Sequence, residues 1–268
     1  MEISKIYNLF INSKAVCIDT RKIVKKSIFF AIKGNNFDGN NFVNEALKKG
    51  CSYAITDKKN IKKNDKIIYV NNSLQTLQEL AKFHRKKLNC PVIGITGTNG
   101  KTTTKELINA ILKTKYKTSC TTGNYNNHIG VPLTILSTPS LTEILIIEMG
   151  ANQKNDIKFL CEIAKPTHGI ITNIGKAHLE GFKTHKNIIK TKKELYDFIK
   201  LNNGKLFVNF NDDLLVKLSK NIKSEYYGEN NSKIVEQNPF VSIFYNNIKI
   251  NSKLIGSYNY SNMLAACK

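Results

Sequence analysis

The sequence predicts an α/β protein in which a small N-terminal α/β domain precedes a mostly parallel sheet covered by helices on both faces. Short runs of β-branched and apolar residues alternate along the chain with segments whose apolar residues recur at helical spacing. A glycine-rich turn at residues 97–100 joins one of these runs to a helical segment. Alternation of this kind is typical of parallel sheets with helical connections.

The N-terminal domain is expected to span residues 1–88. Helices are predicted where apolar residues share one face, and strands where short apolar runs are bounded by turn residues. Pro91 cannot continue a helix and constrains the residue before it, so the boundary is placed beside it. The predicted strands are 27–32, 53–56 and 67–70, and the predicted helices are 41–49 and 74–87.

The same alternation continues through a second domain, residues 89–268. Ligands of parallel sheets bind at the carboxyl ends of the strands, so polar residues at these ends are candidates for a site. The predicted strands are 92–95, 143–148, 169–173 and 205–209, and the polar residues near strand ends are Thr102, Glu148, Asn173 and Asn209.

The most informative stretch, residues 94–104, has the sequence GITGTNGKTTT. Gly97 and Gly100 lack the Cβ atoms that would block positive φ, so successive N–H groups of the turn can point at an anion. Lys101 would then reach the β- and γ-phosphates of a nucleotide, and the Thr102 hydroxyl would bind Mg²⁺. The glycine spacing is shorter than the usual one, and we interpret the turn as a shortened P-loop-type loop that binds ATP.

The same residues allow a plainer interpretation, a turn before a helix that is capped by Thr103 and Glu106. The apolar run before the turn and the helical spacing after it favour the phosphate-binding loop. A general nucleotide hydrolase also fits the loop, although no motif for guanine recognition is apparent.

The 268 residues carry a formal net charge of +21, which raises nucleic acid as a partner. The lysines are spread along the whole chain, and arginine, the residue best suited to contacts with bases, occurs only at positions 21 and 85. We therefore expect no nucleic-acid partner and a general attraction to anionic substrates.

The six cysteines are widely separated and show no zinc-binding spacing, which is typical of reduced thiols in a cytosol. The N-terminus is unlike a signal peptide, and no apolar run is long enough to span a bilayer. We expect a cytoplasmic protein without a membrane partner.

Positions in two later segments are candidates for chemistry. Glu148 follows an apolar run, so its carboxylate is expected beside the phosphate loop as a Mg²⁺ ligand, with a solvated acid as the alternative. His178 follows the next predicted strand through a glycine turn, and of the five histidines it has the best claim to a site. Lys190, Lys192 and Lys193 are expected to form a solvated cationic face at the head of a helix.

Residues 123–130 form a stretch too rich in glycine and asparagine for a helix. Its side chains suit a sugar or peptide ligand, although ordinary loop chemistry explains them almost as well. The polar residues concerned are Asn124, Asn126, Asn127 and His128.

Taken together, these fragments resemble the Mur ligases of peptidoglycan synthesis over essentially the whole chain. One run is similar to the stretch found in the member that adds D-alanyl-D-alanine to a UDP-linked tripeptide. The runs that carry the resemblance are IDTR at 18–21, FFAIKG at 29–34, FDG at 37–39, TGTNGKTTTK at 96–105 and, for the dipeptide-adding member, GNYNNHIGVPL at 123–133.

The resemblance implies roles for individual residues. Glu148 and His178 match the family's Mg²⁺ ligands, and Lys192 matches the lysine that CO₂ converts into a metal-binding carbamate. Asn259 and Asn262 match the motif beside the adenine. The implied catalytic residues are Lys101, His178 and Lys192; the ATP-binding residues are Gly97, Thr98, Asn99, Gly100, Lys101, Thr102, Thr103, Asn259 and Asn262; the substrate-binding residues are Asp19, Thr20, Arg21, Lys33, Gly34, Asp38, Asn124, Asn126, Asn127 and His128; and the metal ligands are Thr102, Glu148, His178 and Lys192.

The resemblance also implies a reaction, an ATP- and Mg²⁺-dependent ligation through an acyl phosphate. The implied substrates are UDP-N-acetylmuramoyl-tripeptide, whose UDP end the N-terminal domain receives, and D-alanyl-D-alanine. Members of the family continue past Asn262 into a third domain. We therefore expect an incomplete central domain, no C-terminal domain and little ligase activity from this chain alone, and a separately encoded C-terminal portion is left open as a partner.

Two other functions stay open. The first alternative is another Mur-type or folylpolyglutamate-type amino acid ligase. The second is a non-catalytic fragment that binds a UDP-sugar. Product analysis with different amino acids, and thermal unfolding with a UDP-muramoyl peptide, would separate them.

Overall fold

The computed structural model describes residues 2–61, 64–175, 179–228 and 232–268. The chain divides into two compact units, which we call unit 1 and unit 2. Unit 1 consists of Met1–Leu88 and Pro132–Thr138, and unit 2 consists of Asn89–Val131 and Pro139–Lys268.

Unit 1 contains a four-stranded parallel sheet whose strands are adjacent in chain order. The three strands and two helices predicted for this region are confirmed, with ends that differ by no more than two residues. An N-terminal helix and a short first strand were not predicted. In chain order the elements are α1 (Ile3–Ile11), β1 (Val16–Cys17), a 3-10 turn (Thr20–Lys22), β2 (Ile28–Phe30), a 3-10 turn (Gly39–Phe42), α2 (Val43–Lys48), β3 (Tyr53–Thr56), β4 (Ile67–Tyr69) and α3 (Ser73–Arg85).

The core of unit 1 forms where α2 packs on the sheet. Phe29 and Ala54 from the strands meet Val43 and Ala46 from α2, and all four side chains are buried. On α1, the residues that recur at helical spacing turn inward, and the helix packs against α3. Apolar periodicity therefore accounts for the layers of unit 1.

Unit 2 contains a six-stranded sheet in which all neighbouring strands are parallel. This confirms the mostly parallel sheet and its four predicted strands. Its elements in chain order are β5 (Val92–Thr96), α4 (Lys101–Leu112), β6 (Thr118–Cys120), α5 (Gly130–Leu136, which ends in unit 1), β7 (Ile144–Glu148), α6 (Asp156–Ala164), β8 (His168–Ile171), α7 (Leu179–Phe182), α8 (His185–Leu201), β9 (Lys205–Asn209), α9 (Asp213–Leu218), β10 (Ser224–Tyr227), β11 (Ser232–Glu236), β12 (Phe240–Tyr245), β13 (Ile248–Ile255) and α10 (Asn259–Cys267).

The strand order of the large sheet is β10-β9-β8-β5-β7-β6, so β5 lies between β8 and β7. Because the strands are parallel, the loops that follow β5, β7 and β8 meet at one edge of the sheet. This edge is where the sequence places the phosphate loop, Glu148 and Asn173.

A second, antiparallel sheet in unit 2 was not predicted. It has three strands in the order β11-β12-β13. One of its faces supplies the buried residues Val241 and Ile243, which pack against Met263 and Leu264 of α10. The same helix packs against α4, so this small sheet supports the helix that follows the phosphate loop.

Two local expectations were wrong, and one alternative is excluded. Helix α4 begins at Lys101 with Gly100 as its N-cap, so the alternative in which Thr103 and Glu106 cap the helix does not hold. Strand β8 ends at Ile171, so Asn173 lies beyond it. Helix α8 begins at His185, and Lys190, Lys192 and Lys193 therefore lie in its interior and not at its head.

The six cysteines, all within the described residues, form no disulfide, and four of them are buried. Burial raises the pKa of several of these thiols, Cys51, Cys120 and Cys267 among them. Across the parts of the chain that the structure describes, no helix combines the length and the apolar character needed to cross a membrane.

Unit 1 contains a buried histidine that makes its stability depend on pH. His84 is bonded through its ring nitrogens to the Tyr7 hydroxyl and the Thr138 carbonyl, both at 3.2 Å. Burial lowers the pKa of His84, and the Thr138 carbonyl only partly opposes this. The folded chain therefore takes up the proton at a lower pH than the unfolded chain, whose histidine titrates near a pKa of about 6.5.

We expect this contribution to stability to be fully present above about pH 6.5 and to be lost as the pH falls from the unfolded pKa through the lower folded pKa. His84→Gln keeps a polar side chain but cannot titrate, so its melting temperature should fall less than that of the wild type between about pH 7 and pH 5. Circular dichroism melts measure this, with His185→Gln as the control. A difference between wild type and His84→Gln that stays constant with pH would contradict the assignment.

Candidate functional site

The turn at residues 97–100 connects β5 to α4 and requires glycine at both ends. Gly97 has φ of 153° and Gly100 has φ of 77°, values that residues with a Cβ rarely adopt. A Cβ on Gly97 would lie 1.9 Å from Thr172 Oγ1, and one on Gly100 would lie 2.5 Å from Asn262 Oδ1. The turn thus approaches both the end of β8 and helix α10 too closely for any side chain.

Residues 172–175, which follow β8, hold this turn by hydrogen bonds, most of which go to the backbone of the turn. Asn173 accepts from Asn99 N through Oδ1 and donates to Asn99 O through Nδ2, both at 3.0 Å. The Thr172 hydroxyl donates to the same Asn99 oxygen at 2.6 Å, and Thr98 N donates to Asn173 O at 3.0 Å. Gly175 N donates to the Thr98 hydroxyl at 2.9 Å. The turn is therefore held in one conformation by its neighbour in the sheet.

Two lysine ammonium groups converge on the carbonyl oxygen of Gly97. Lys101 donates to Gly97 O at 2.9 Å and to Thr98 O at 3.0 Å. Lys192, which reaches in from α8, donates to the same Gly97 oxygen at 2.9 Å. Lys192 is only 5% exposed, so the expectation of a solvated face was wrong for this residue, whereas Lys190 is exposed.

Burial makes both cations unfavourable. Desolvation first, and the charge of Lys101 second, lower the pKa of Lys192 to about 8. Desolvation also lowers the pKa of Lys101, although the charge of Glu148 opposes the shift. The pair forms a concentrated positive charge that an anion would stabilise.

Glu148 is a buried carboxylate beside the turn, which excludes the solvated acid as an interpretation. It is 1% exposed. Its Oε2 accepts from the Thr102 hydroxyl at 2.8 Å, and its Oε1 accepts from Asn126 Nδ2 at 2.7 Å. Its backbone N donates to the Thr121 hydroxyl at 3.0 Å. Residues from α4, β7 and the stretch after β6 therefore meet at one carboxylate.

A cleft of about 170 Å³ opens at this point of unit 2. It contains the turn, both lysines and Asn126, so it combines cationic groups with polar ones. Its volume suits phosphate groups better than a whole nucleotide. The lining residues are Gly97, Thr98, Lys101, Asn126, Gly150, Ala151, Asn152, Phe182, Ile188 and Lys192.

Asn259 and Asn262 join α10 to the helix that follows the turn. Asn262 accepts from the Thr104 hydroxyl at 3.1 Å and donates to Asn259 Oδ1 at 2.9 Å, and Asn259 donates to Ile255 O. Both asparagines are buried. Tyr258, by contrast, is 75% exposed.

The polar stretch after β6 separates into residues with different contacts. Asn126 lies in the cleft against Glu148. Asn127 Oδ1 accepts from Ile129 N and Gly130 N, which caps the start of α5. Asn124 and His128 are exposed. As expected, residues 123–129 form no helix.

The candidates in unit 1 follow two neighbouring parallel strands, β1 and β2, and so lie at the carboxyl edge of its sheet. Arg21 forms a two-pronged ion pair with Asp19, which lowers the pKa of that carboxyl to about 2. Asp38 accepts from the backbone and side chain of Asn40, which holds the turn after β2. The remaining candidates there make backbone contacts. The carbonyl of Thr20 accepts from Lys49, the backbone of Lys33 forms a β-bridge with that of Asp38, and Gly34 N donates to Phe37 O.

His178 lies outside the described residues. Thr103 is half-buried on α4.

Sequence reasoning missed Lys105, whose side chain is fully buried and bonded to Thr121 O, and it missed the part that Thr172 plays in holding the turn. A signal for Lys105 exists, since it lies one residue after the buried Thr104 and three before Ile108, within the inward face of α4.

Two family models match this chain. The Mur ligase middle domain matches residues 95–268, and the Mur ligase family catalytic domain matches residues 12–92. Among curated relatives, the UDP-N-acetylmuramoyl-tripeptide–D-alanyl-D-alanine ligase of Bacillus subtilis is 38% identical over 215 residues, which cover 80% of this chain and 47% of the relative. The enzyme of the same name from Buchnera aphidicola (subspecies Baizongia pistaciae) is 36% identical over 96% of this chain and 58% of its own length. The chain thus spans about half the length of the curated relatives it matches.

Solved structures of Mur ligases are also similar to this chain. MurF from Acinetobacter baumannii superposes with a TM-score of 0.84 at 29% identity, covering 95% of this chain and 58% of that one. MurF ligase from Thermotoga maritima, solved in complex with ADP, gives a TM-score of 0.81 at 31% identity, covering 97% and 62%. The FolC structure from E. coli, with a TM-score of 0.52 at 14% identity, shares the fold alone.

The clamp on the turn yields a prediction for stability. Asn173→Ala removes both side-chain bonds to Asn99 and should lower the free energy of unfolding by about 1–2 kcal/mol. Urea denaturation followed by circular dichroism measures this. Asn124→Ala, at an exposed position, is the control, and equal stabilities for the two variants would show that the clamp contributes nothing.

Proposed function

Because the chain belongs to the Mur ligase family, we propose that it binds ATP at the turn of residues 97–101 and uses it to activate the carboxylate of a UDP-linked muramoyl tripeptide. The observation that carries the proposal is the convergence of Lys101 and Lys192 on the Gly97 carbonyl beside the buried Glu148. D-Alanyl-D-alanine is then joined to the activated carboxylate, as the names of the curated relatives suggest.

The turn and its flanking helix provide what polyphosphate binding needs. Helix α4 begins directly after Gly100, so its first N–H groups and its positive dipole end face an anion at the turn. Lys101 would exchange its bonds to Gly97 O and Thr98 O for bonds to phosphate oxygens. Asn259 and Asn262 are proposed to lie beside the adenine, since Asn262 approaches the turn at Gly100.

The residues present fit Mg²⁺. Hydroxyl and carboxylate oxygens are the ligands that this ion prefers, and Thr102 and Glu148 offer one of each within 2.8 Å of one another. Over the described residues, both hydrogen-bond partners of the Glu148 carboxylate are neutral and no ion pair neutralises it, which suits a bound cation. Mg²⁺ is usually held by one or two carboxylates and the substrate phosphates, and when bound it would neutralise phosphate charge. His178 is proposed as a further ligand.

Lys192 is proposed to carry a carbamate. Its ammonium would first lose one proton, and the neutral amine would then attack CO₂ to form an N–C bond and release a second proton, so that a cation becomes an anion. Support comes from its match to the family's position, from its burial and from the nearby Lys101, because the change removes the repulsion between two buried cations and replaces it with attraction.

The two remaining substrates are proposed to bind other segments of the chain. The turns after β1 and β2, with Asp19, Arg21, Lys33 and Asp38, would receive the UDP end. The stretch at 124–128 would contact the peptide.

The reaction then has two steps. A carboxylate oxygen of the tripeptide attacks the γ-phosphorus of ATP and ADP leaves, and the amine of the dipeptide attacks the acyl carbon and phosphate leaves. Bringing two anions together is the costly part of the first step, and Lys101 offsets their repulsion in a cleft lined by cationic and polar groups.

Nucleotide binding is the first test. Mg²⁺–ADP should raise the stability of the wild type by about 2.7 kcal/mol when its concentration is about a hundred times Kd. Lys101→Ala should bind about tenfold or more weakly, because a charge-assisted bond to phosphate is lost. Calorimetry measures both, with the exposed Lys113→Ala as the control. A wild type that does not respond to Mg²⁺–ADP would refute the proposal.

The carbamate is tested by ¹³C NMR in ¹³C-bicarbonate. A carbamate resonance should appear in the wild type and in Lys190→Ala, on the exposed side of the same helix, and should be missing in Lys192→Ala. A resonance that persists in Lys192→Ala would assign the carbamate to another amine.

Catalysis is tested by release of ADP and phosphate from ATP and Mg²⁺ with UDP-N-acetylmuramoyl-tripeptide, with and without D-alanyl-D-alanine. Turnover that depends on the dipeptide, even at a low rate, would identify the ligase reaction. Turnover that depends instead on a single amino acid would favour another ligase of the family, and tripeptide binding without turnover would favour a binding fragment.

A further inference from the structure

Lys105 is a buried cation to which the proposed reaction assigns no role. It lies one helical turn after Lys101 on α4, and its side chain is fully buried. Its ammonium donates to Thr121 O at 2.5 Å and to Gly123 O at 3.4 Å, and it pairs with the Glu106 carboxylate at 2.8 Å. A buried charge is costly unless it is paired, so these acceptors explain how the lysine is tolerated but not what it does.

The two carbonyl groups belong to the segment that carries Asn126. At its start, Thr121 donates its N–H to Ile146 O and accepts from Glu148 N through its hydroxyl, both at 3.0 Å. At its end, the carbonyl of Asn126 accepts from Gly150 N at 2.7 Å. The segment is thus fixed at both ends, and from α4 Lys105 bonds to its first residue and, by a longer bond, to its middle.

These contacts close a ring around the carboxylate. From α4, Thr102 donates to Glu148 Oε2, and Asn126 donates to Oε1 from the opposite side. The backbone leads from Asn126 back to Gly123 and Thr121, where Lys105 returns the ring to α4. Both oxygens of the carboxylate are therefore oriented by one helix, once directly and once through Lys105.

We propose that Lys105 is a positioning residue for the metal-binding carboxylate: it fixes residues 121–126, holds Asn126 against Glu148 and so sets the affinity of the nucleotide-loaded site for Mg²⁺. The inference rests on the proposed function, because it takes Glu148 as a Mg²⁺ ligand. Groups that orient a metal ligand affect the affinity of the site without touching the ion.

The proposal separates two binding steps. Metal-free ADP is held by the turn and by Lys101, which do not depend on residues 121–126. Mg²⁺ additionally needs Glu148 in one orientation. Loss of the Lys105 ammonium frees the two carbonyls and the segment that bears them, so Asn126 no longer holds Glu148 and only the metal step suffers.

The test uses Lys105→Met, which keeps the length and apolar stem of the side chain and removes its charge. Lys113→Met makes the same change at an exposed position at the end of α4. Calorimetry with ADP in EDTA, and then with Mg²⁺ titrated into the ADP-loaded chain, measures the two steps. We expect unchanged ADP affinity in EDTA for both variants and a loss of about tenfold in Mg²⁺ affinity for Lys105→Met alone.

A second readout needs no ligand. Amide hydrogen exchange of residues 121–126 should accelerate in the metal-free Lys105→Met chain and not in Lys113→Met. Unchanged exchange in both variants would contradict the holding role of Lys105.

Asn126→Ala tests the ring without touching the buried lysine, and it decides the matter if Lys105→Met does not fold. It should show the same selective loss of Mg²⁺ affinity. Wild-type Mg²⁺ affinity in Asn126→Ala, or in a folded Lys105→Met, overturns the inference while leaving nucleotide binding intact. A wild type that binds no ADP overturns the proposed function and the inference with it, so the two failures are distinguishable.

Discussion

The candidate site of unit 2 depends on one carbonyl oxygen, that of Gly97, on which two lysine ammonium groups converge. Lys101 reaches it from the helix that follows and Lys192 from α8, each at 2.9 Å. Burial makes this arrangement costly and lowers the pKa of both lysines, and the charge of Lys101 lowers the pKa of Lys192 further. An anion bound beside them would relieve that cost. Selectivity for anionic ligands therefore follows from the packing of α8 as much as from the N–H groups of the turn.

Such a cluster is useful only if the turn cannot relax around it. The bonds from Thr172 and Asn173 to Asn99 remove that freedom, because they fix the tip of the turn to the neighbouring strand end. Because Gly97 has no Cβ, Thr172 can lie close to the turn, and because Gly100 has none, Asn262 can do so as well. A site organised before its ligand arrives loses little free energy to reorganisation when the ligand binds. The order β8-β5-β7 in the sheet brings the three strand ends close enough for this.

Local patterns were sufficient for the parallel strands, for the phosphate turn and for the position of Glu148 beside it. Strand runs and a glycine turn before Lys-Thr carry their signal within a few residues. The burial of Lys192 was missed because a lysine is exposed in most helices, and only the packing of α8 on the sheet reverses this. Lys105 was missed for the same reason. The three-stranded antiparallel sheet was missed because its edge strands are largely exposed, and the alternation of β13 is between half-buried and exposed residues, with no fully buried one.

The amide-rich stretch after β6 shows why composition alone could not assign its function. Asn127 caps the start of α5, and Asn126 donates to the carboxylate of Glu148, so two adjacent asparagines stabilise two different parts of the structure. Asn124 and His128 are exposed on the same loop. Of these residues Asn126 contacts the carboxylate of Glu148, whereas Asn127 is exposed and caps α5. If the loop contacts a peptide, as proposed, its exposed positions can vary with that peptide, whereas a change at Asn126 would alter the proposed metal site.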